Sequence, residues 1–247
     1  MSITSVTPPD GLSPSQLHAA LSNLRLSTQS DERLALTLKG LKQFQNKRLA
    51  CTHQDLLEDE STRSASLFFL EELYADRDFT LRDQQVGRVL PKLEKYLPNA
   101  MAHVVGEVIA MDYLAEQMDV SMALLIKGIG GIDDNLLDVK TYLQAYRAVG
   151  HHELRRRQVH MVKAVGRSLV KLMRLPMLGA LLKMTEGKAR RAGLGEFHQF
   201  LAKGVAAFRT LDDPEWYFTT LVDRETAIHE AIVSGAEHPF GLWIGTK

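Results

Sequence analysis

The sequence predicts an all-α single domain, and three observations predict it. Apolar residues recur at three- and four-residue spacing along one segment after another, and caps and prolines punctuate the chain at helix-sized intervals. No stretch alternates with the two-residue period of a strand. The start and stop signals fit about eight to ten helices. They divide the chain into a flexible N-terminal tail over residues 1–12, a helical domain over 13–236 and an apolar C-terminal tail over 237–247.

Pro8, Pro9, Asp10 and Gly11 mark the tail. Ser13-Pro14-Ser15-Gln16 then supplies an N-cap serine, a proline at the first helical position and a glutamine at the third, so a helix starts there and runs to about Leu26. Ser30 is the expected cap of a second helix, striped by Leu34, Leu38, Leu41 and Gln45 and reaching about Leu57, with a break near Cys51. The run Leu67-Phe68-Phe69-Leu70-Glu71-Glu72-Leu73-Tyr74 is the densest in large apolar groups. Ser66, Phe69, Leu70, Leu73 and Tyr74 share one face of it, and Phe68 lies opposite, between the two glutamates. A helix apolar on both sides implies a second layer covering Phe68.

Thr80 with Asp83 resembles a capping box, so the next helix opens near Leu81 and carries Val86, Val89, Leu90, Leu93 and Leu97. Pro91 inside that stripe removes a backbone donor, which predicts a kink or two abutting helices. Pro98-Asn99 opens a helix striped by Val104, Val108, Met111, Ala115 and Met118, and Gly128-Ile129-Gly130-Gly131 breaks it. Without a preceding strand, that glycine run lacks the setting of a phosphate-binding loop. Helices follow over about Leu137 to Val149, ended by Gly150, and from there to about Leu175, before Pro176. Another begins near Gly193 with Leu194, Phe197, Leu201, Val205 and Phe208 on one face, where Gly204 predicts close approach of a neighbour. Asp213-Pro214-Glu215 starts the last helix, which ends near Ser234. The tail Phe240-Gly241-Leu242-Trp243-Ile244 is apolar enough to dock on the domain.

Thirty basic and thirty acidic residues balance, which removes any global charge signature for nucleic acid or an anionic membrane. The most apolar run, Val120 to Ile132, is too short for a bilayer span and contains Lys127. A single cysteine, Cys51, fits a reducing cytoplasm, and no signal peptide opens the chain. No serine sits in a nucleophile elbow and Cys51 has no identifiable base.

Polar residues interrupt several apolar stripes. In the final helix Phe218, Leu221, Val222, Ile228 and Ile232 define the core face, and Glu225 and His229 fall in its middle; such a carboxylate must bond to the histidine, to an arginine elsewhere or to an ion. His103 and Glu107 repeat the four-residue spacing on another helix. Together the four are a candidate metal site for iron, manganese or zinc, although bundle di-iron sites space Glu and His by three. If haem were bound, His198, His103 or His229 would be its axial ligand. Arg155 and Gln158, beside the stripe Leu154, Met161, Val165, Leu169 and Leu172, are candidates for holding a small anion or for setting helix register. Arg77 and Arg82, with Asp78, Asp83 and Arg88, form either an anion-binding cluster or a set of interhelical ion pairs.

Phe68-Phe69-Leu70-Glu71-Glu72-Leu73-Tyr74, followed by Arg77-Asp78-Phe79 and Arg82-Asp83, resembles the signature of the bacterial FFLEELY-motif proteins. Ala192-Gly193-Leu194, Phe200-Leu201, Gly204, Ala207-Phe208-Arg209 and Arg224-Glu225 resemble that family's C-terminal half. The resemblance implies a name and no activity. The functional expectation is thus a cytoplasmic, non-catalytic helical module that binds a protein partner or a small molecule, and the alternative is a metal- or haem-dependent oxidoreductase with its site inside the bundle.

Overall fold

The computed structural model describes residues 11–73, 80–96, 99–130, 137–175 and 177–241. Among them are eleven α-helices and one π-helical turn, with no strand, so the all-α class stands and the helix number is just above the expected range. The elements are α1 (Pro14–Gln29), α2 (Glu32–Thr52), α3 (Gln54–Glu58), α4 (Glu60–Phe68), the π turn (Phe69–Leu73), α5 (Thr80–Tyr96), α6 (Asn99–Gly128), α7 (Val139–Val149), α8 (His152–Met173), α9 (Leu178–Arg191), α10 (Gly195–Arg209) and α11 (Pro214–Val233).

Local chemistry sets the boundaries. The Ser13 hydroxyl accepts from the Gln16 amide at 3.3 Å while Gln16 Oε1 accepts from the Ser13 amide at 2.9 Å, closing a capping box around Pro14. Asp31, rather than Ser30, caps α2, accepting from the Leu34 amide at 3.0 Å. Its ionised carboxylate suits the positive end of the helix better than a hydroxyl does, and Lys127 also pairs with it. The break near Cys51 falls at His53, after which α3 runs for a single turn. Pro91 sits inside a continuous α5, and α6 ends at Gly128 as the glycines require.

The helix α6, 30 residues long, forms the axis. It packs on α1, α2, α7 and α8, and α8 in turn packs on α11. Around one part of α6 the core gathers Leu41, Met122, Ala123, Ile126, Tyr142 and Ile232, and Phe240 closes it by packing on Phe44 and Tyr142. Phe240 thus docks as its tail was expected to, and Leu242 to Ile244 lie outside the described residues. A second core joins α4, α8, α10 and α11 through Phe68, Phe208, Tyr217 and Phe218.

The covering layer over Phe68 is α10. Phe68 meets Phe200 at 5.4 Å and Phe208 at 5.5 Å between ring centroids, and a Cβ on Gly204 would sit 3.2 Å from the Phe68 ring, which is the close approach that glycine permits. On the other side of the chain Phe69 meets Phe208, Tyr217 and Phe218. Glu72, one helical turn from Phe68, is consequently buried, and Lys203 of α10 reaches it at 2.6 Å.

Candidate functional site

Glu225 and His229 do fall within the fold, in a polar seam bounded by α2, α7, α8 and α11. The Arg48 guanidinium of α2 donates to Glu225, and His53 Nε2 lies 3.0 Å from the same carboxylate oxygen. Burial works to raise the Glu225 pKa, but the charge of Arg48 and the hydrogen bonds from His53 and Arg48 outweigh it and hold the carboxyl down at about 2. An arginine elsewhere is therefore what satisfies this carboxylate, one of the three solutions open from sequence.

One turn further along α11, His229 is 2% exposed and its Nδ1 lies 2.8 Å from the Tyr146 hydroxyl of α7. Burial lowers the His229 pKa first, and His152, Arg156 and Arg155 lower it further. Burial likewise pushes the Tyr146 hydroxyl up, so both groups are neutral near pH 7. Arg155 lies over the Tyr146 ring, 5.0 Å from its centroid, and donates to Gln158 Oε1 at 3.3 Å. The two residues proposed to hold an anion thus hold each other and brace Tyr146.

The four-residue metal site requires correction. His103 and Glu107 pair at 3.5 Å on the surface of α6, with the histidine side chain 75% exposed, whereas Glu225 is occupied by Arg48 and His53. Among the described residues, no group of three or more His, Cys, Asp or Glu is placed to hold a metal ion. Four-residue spacing puts each pair on one helix face but carries no information on which helices pack together. Of the candidate haem ligands, His198 Nε2 lies 2.9 Å from the Leu182 carbonyl.

In the charged knot, Arg77 and Asp78 lie outside the described residues. Arg82 donates to the Glu72 carbonyl at 2.8 Å and lies over the Phe200 ring at 4.8 Å, so its guanidinium ties α5 to the π turn and to α10. Asp83 joins Asp112 and Glu116 in accepting from Arg25 of α1, and Lys42 of α2 reaches Glu116 at 3.0 Å. Arg88 donates to the Ala192 and Gly193 carbonyls, satisfying backbone acceptors after α9. Among these described residues Asp83 makes an interhelical ion pair, with Arg25, while Arg82 and Arg88 donate to backbone carbonyls.

The helix α9 falls in a stretch where the sequence predicts none, the next helix after Pro176 being expected near Gly193. Its signal was present in the spacing of Leu178, Leu181, Leu182 and Thr185, but Gly179 and Gly187 diluted it. This helix packs on α10 and has no buried residue of its own. Met177, Leu181 and Met184 line its outer face at 80%, 55% and 79% exposure. On the other side, α9 and α10 flank an open groove of about 660 Å³, edged by Lys183, Glu186, Arg190, Glu196, His198 and Arg209. Thr185 of α9 meets His198 of α10 at 3.3 Å, and Arg209 of α10 donates to the Met173 and Leu175 carbonyls at and just beyond the end of α8.

The fold and this geometry define an all-helical protein with a buried polar seam and one helix displayed outward. The chain belongs to the family defined by the domain of unknown function DUF8198, which matches residues 24–239. No curated protein and no solved structure matches it. Among the described residues no helix is long and apolar enough to cross a membrane.

Proposed function

We propose that the protein is a non-catalytic helical binding module that receives an acidic amphipathic helix of a partner protein on the outer face of α9. The observation that carries this reading is the exposed stripe Met177, Leu181 and Met184. Contiguous apolar surface of this kind is costly in water and marks interaction sites. Methionine is unbranched and polarizable, which suits a groove-seeking helix whose sequence varies. The apolar stripe runs on into Lys188 and Arg191, so its C-terminal end is basic and favours an acidic occupant. A second copy of the chain fits less well: α9, with 14 residues, is about 21 Å long and about 10 Å across, a face of roughly 200 Å², well short of the roughly 800 Å² per partner of a stable interface.

The test is fluorescence anisotropy with a labelled, designed 18-residue acidic amphipathic helix and its charge-reversed counterpart. Micromolar binding of the acidic peptide, lost by at least tenfold in Leu181→Lys and Met184→Lys, supports the reading. No binding, or equal binding by the basic peptide or by both variants, overturns it.

A further inference from the structure

The stripe on the outer face of α9 joins side chains of two different chemistries. Met177 and Met184 lie about two helical turns apart, and Leu181 stands between them on the same face. The two thioethers are 80% and 79% exposed, whereas Met118, Met122 and Met173 are 1%, 0% and 7% exposed, and Met111 and Met161 are half-buried. A peroxide oxidises a thioether only where it reaches the sulfur, so exposure sorts the described methionines into a reactive pair on α9 and a protected set in the core. Leucine carries no such lone pair and is inert.

We propose that Met177 and Met184 are a peroxide-reactive pair whose oxidation to sulfoxides removes the apolar docking stripe of α9, an inference that rests on the reading of this face as a docking surface. At each residue a sulfur lone pair attacks one oxygen of hydrogen peroxide, so that an S–O bond forms and the O–O bond breaks. The departing hydroxide takes the proton from the oxygen left on sulfur and leaves as water; the sulfur is oxidised by two electrons and the peroxide is reduced by two. The product places a polar, hydrogen-bond-accepting group on either side of Leu181, so no contiguous apolar surface remains for a partner helix to cover without burying an unsatisfied oxygen. The packing is untouched, because α9 contributes no buried residue and the core sulfurs are out of reach. Oxidation here acts on recognition and not on the fold, and it is reversible, since methionine sulfoxide reductases restore the thioether.

The test treats the full-length protein with hydrogen peroxide and follows it by peptide-mapping mass spectrometry, hydrophobic-interaction chromatography and anisotropy of the labelled acidic peptide. Met177 and Met184 should each gain one oxygen at least tenfold faster than Met118, Met122 and Met173. The oxidised protein should elute earlier, bind the peptide at least tenfold more weakly and keep its circular dichroism and melting temperature, and sulfoxide reductase should reverse the first two changes. In Met177→Leu/Met184→Leu, which keeps Cys51 and the other methionines, peroxide should shift neither elution nor affinity from that variant's own starting values. Oxidation no faster than in the core, an elution shift of equal size in the double variant, or unchanged peptide affinity of the doubly oxidised protein overturns the proposal. Untreated protein that fails to bind the peptide overturns the docking reading instead, and the oxidation rates and elution shift, which need no partner, then decide whether the pair is a peroxide-reactive switch of surface polarity.

Discussion

Arg48 and Glu225 stand 177 residues apart in the chain and face each other across the polar seam, the arginine on α2 and the carboxylate on α11. Their pairing, shared with His53, joins an early helix to the last one across the seam that also holds Tyr146 and His229. A buried ion pair gives little net stability over an apolar pair, but it tolerates no half-measures, because removing one member strands the other.

Arg48→Met should therefore destabilise the protein by about 3–5 kcal/mol. Adding Glu225→Leu to it should restore much of the loss, since neither charge is then buried alone. Urea unfolding of the wild type, the two single variants and the double variant measures this as a cycle. A double variant no more stable than Arg48→Met would show that the pair does not act as a unit.

The same pair sets an acid limit. Glu225 is held at about 2 in the folded protein against an ordinary 4.5, so the unfolded chain takes up its proton first as pH falls. The stability it contributes is fully present above pH 4.5 and is lost as pH descends towards 2. Glu225→Gln should be less stable than wild type at pH 7 and should lose this part of the decline between pH 5 and 3. Chemical denaturation at half-unit pH steps reads the difference in slope.

His229 acts in a higher window. Its pKa lies below the usual 6.5 because it is buried and near His152, Arg156 and Arg155, with Glu230 acting the other way. The unfolded chain thus protonates this histidine before the folded one does, and stability present above pH 6.5 falls as pH drops through the folded value. His229→Gln should flatten that segment of the stability profile while leaving the acid limb of Glu225 in place. Thermal melts from pH 8 to 5 distinguish the two.

Helix boundaries were largely legible in the sequence, because caps and prolines act locally: Ser13-Pro14, Asp213-Pro214 and Gly150 all mark ends in the structure. The expectation that Glu225 needed a buried partner was also legible, since a carboxylate in an apolar stripe has few alternatives. Its partners were not, because Arg48 and His53 come from the end of α2, whose approach to α11 no local spacing reports. The helix α9 was missed for the opposite reason. It is built with an exposed face and two glycines, so it lacks the periodic burial that makes other helices recognisable.

Gly166 provides a packing test away from the polar seam. It lies on α8 where a Cβ would come within 2.3 Å of the Phe218 ring, and Phe218 is fully buried in the core shared by α8, α10 and α11. The ring cannot retreat, because Phe69, Phe208 and Tyr217 surround it. Gly166→Ala gains helix propensity of about 1 kcal/mol. That gain should be outweighed by the cost of overpacking, typically 1–3 kcal/mol and larger where the neighbour is rigid, so the net change is a loss. Gly187 on α9 supplies the control, since nothing lies within 4 Å of the corresponding Cβ. Gly187→Ala should therefore leave stability unchanged or raise it by up to about 1 kcal/mol. Thermal and urea unfolding of the two variants side by side should give shifts of opposite sign, and a Gly166→Ala protein as stable as Gly187→Ala would mean that α8 and α11 pack less closely than described.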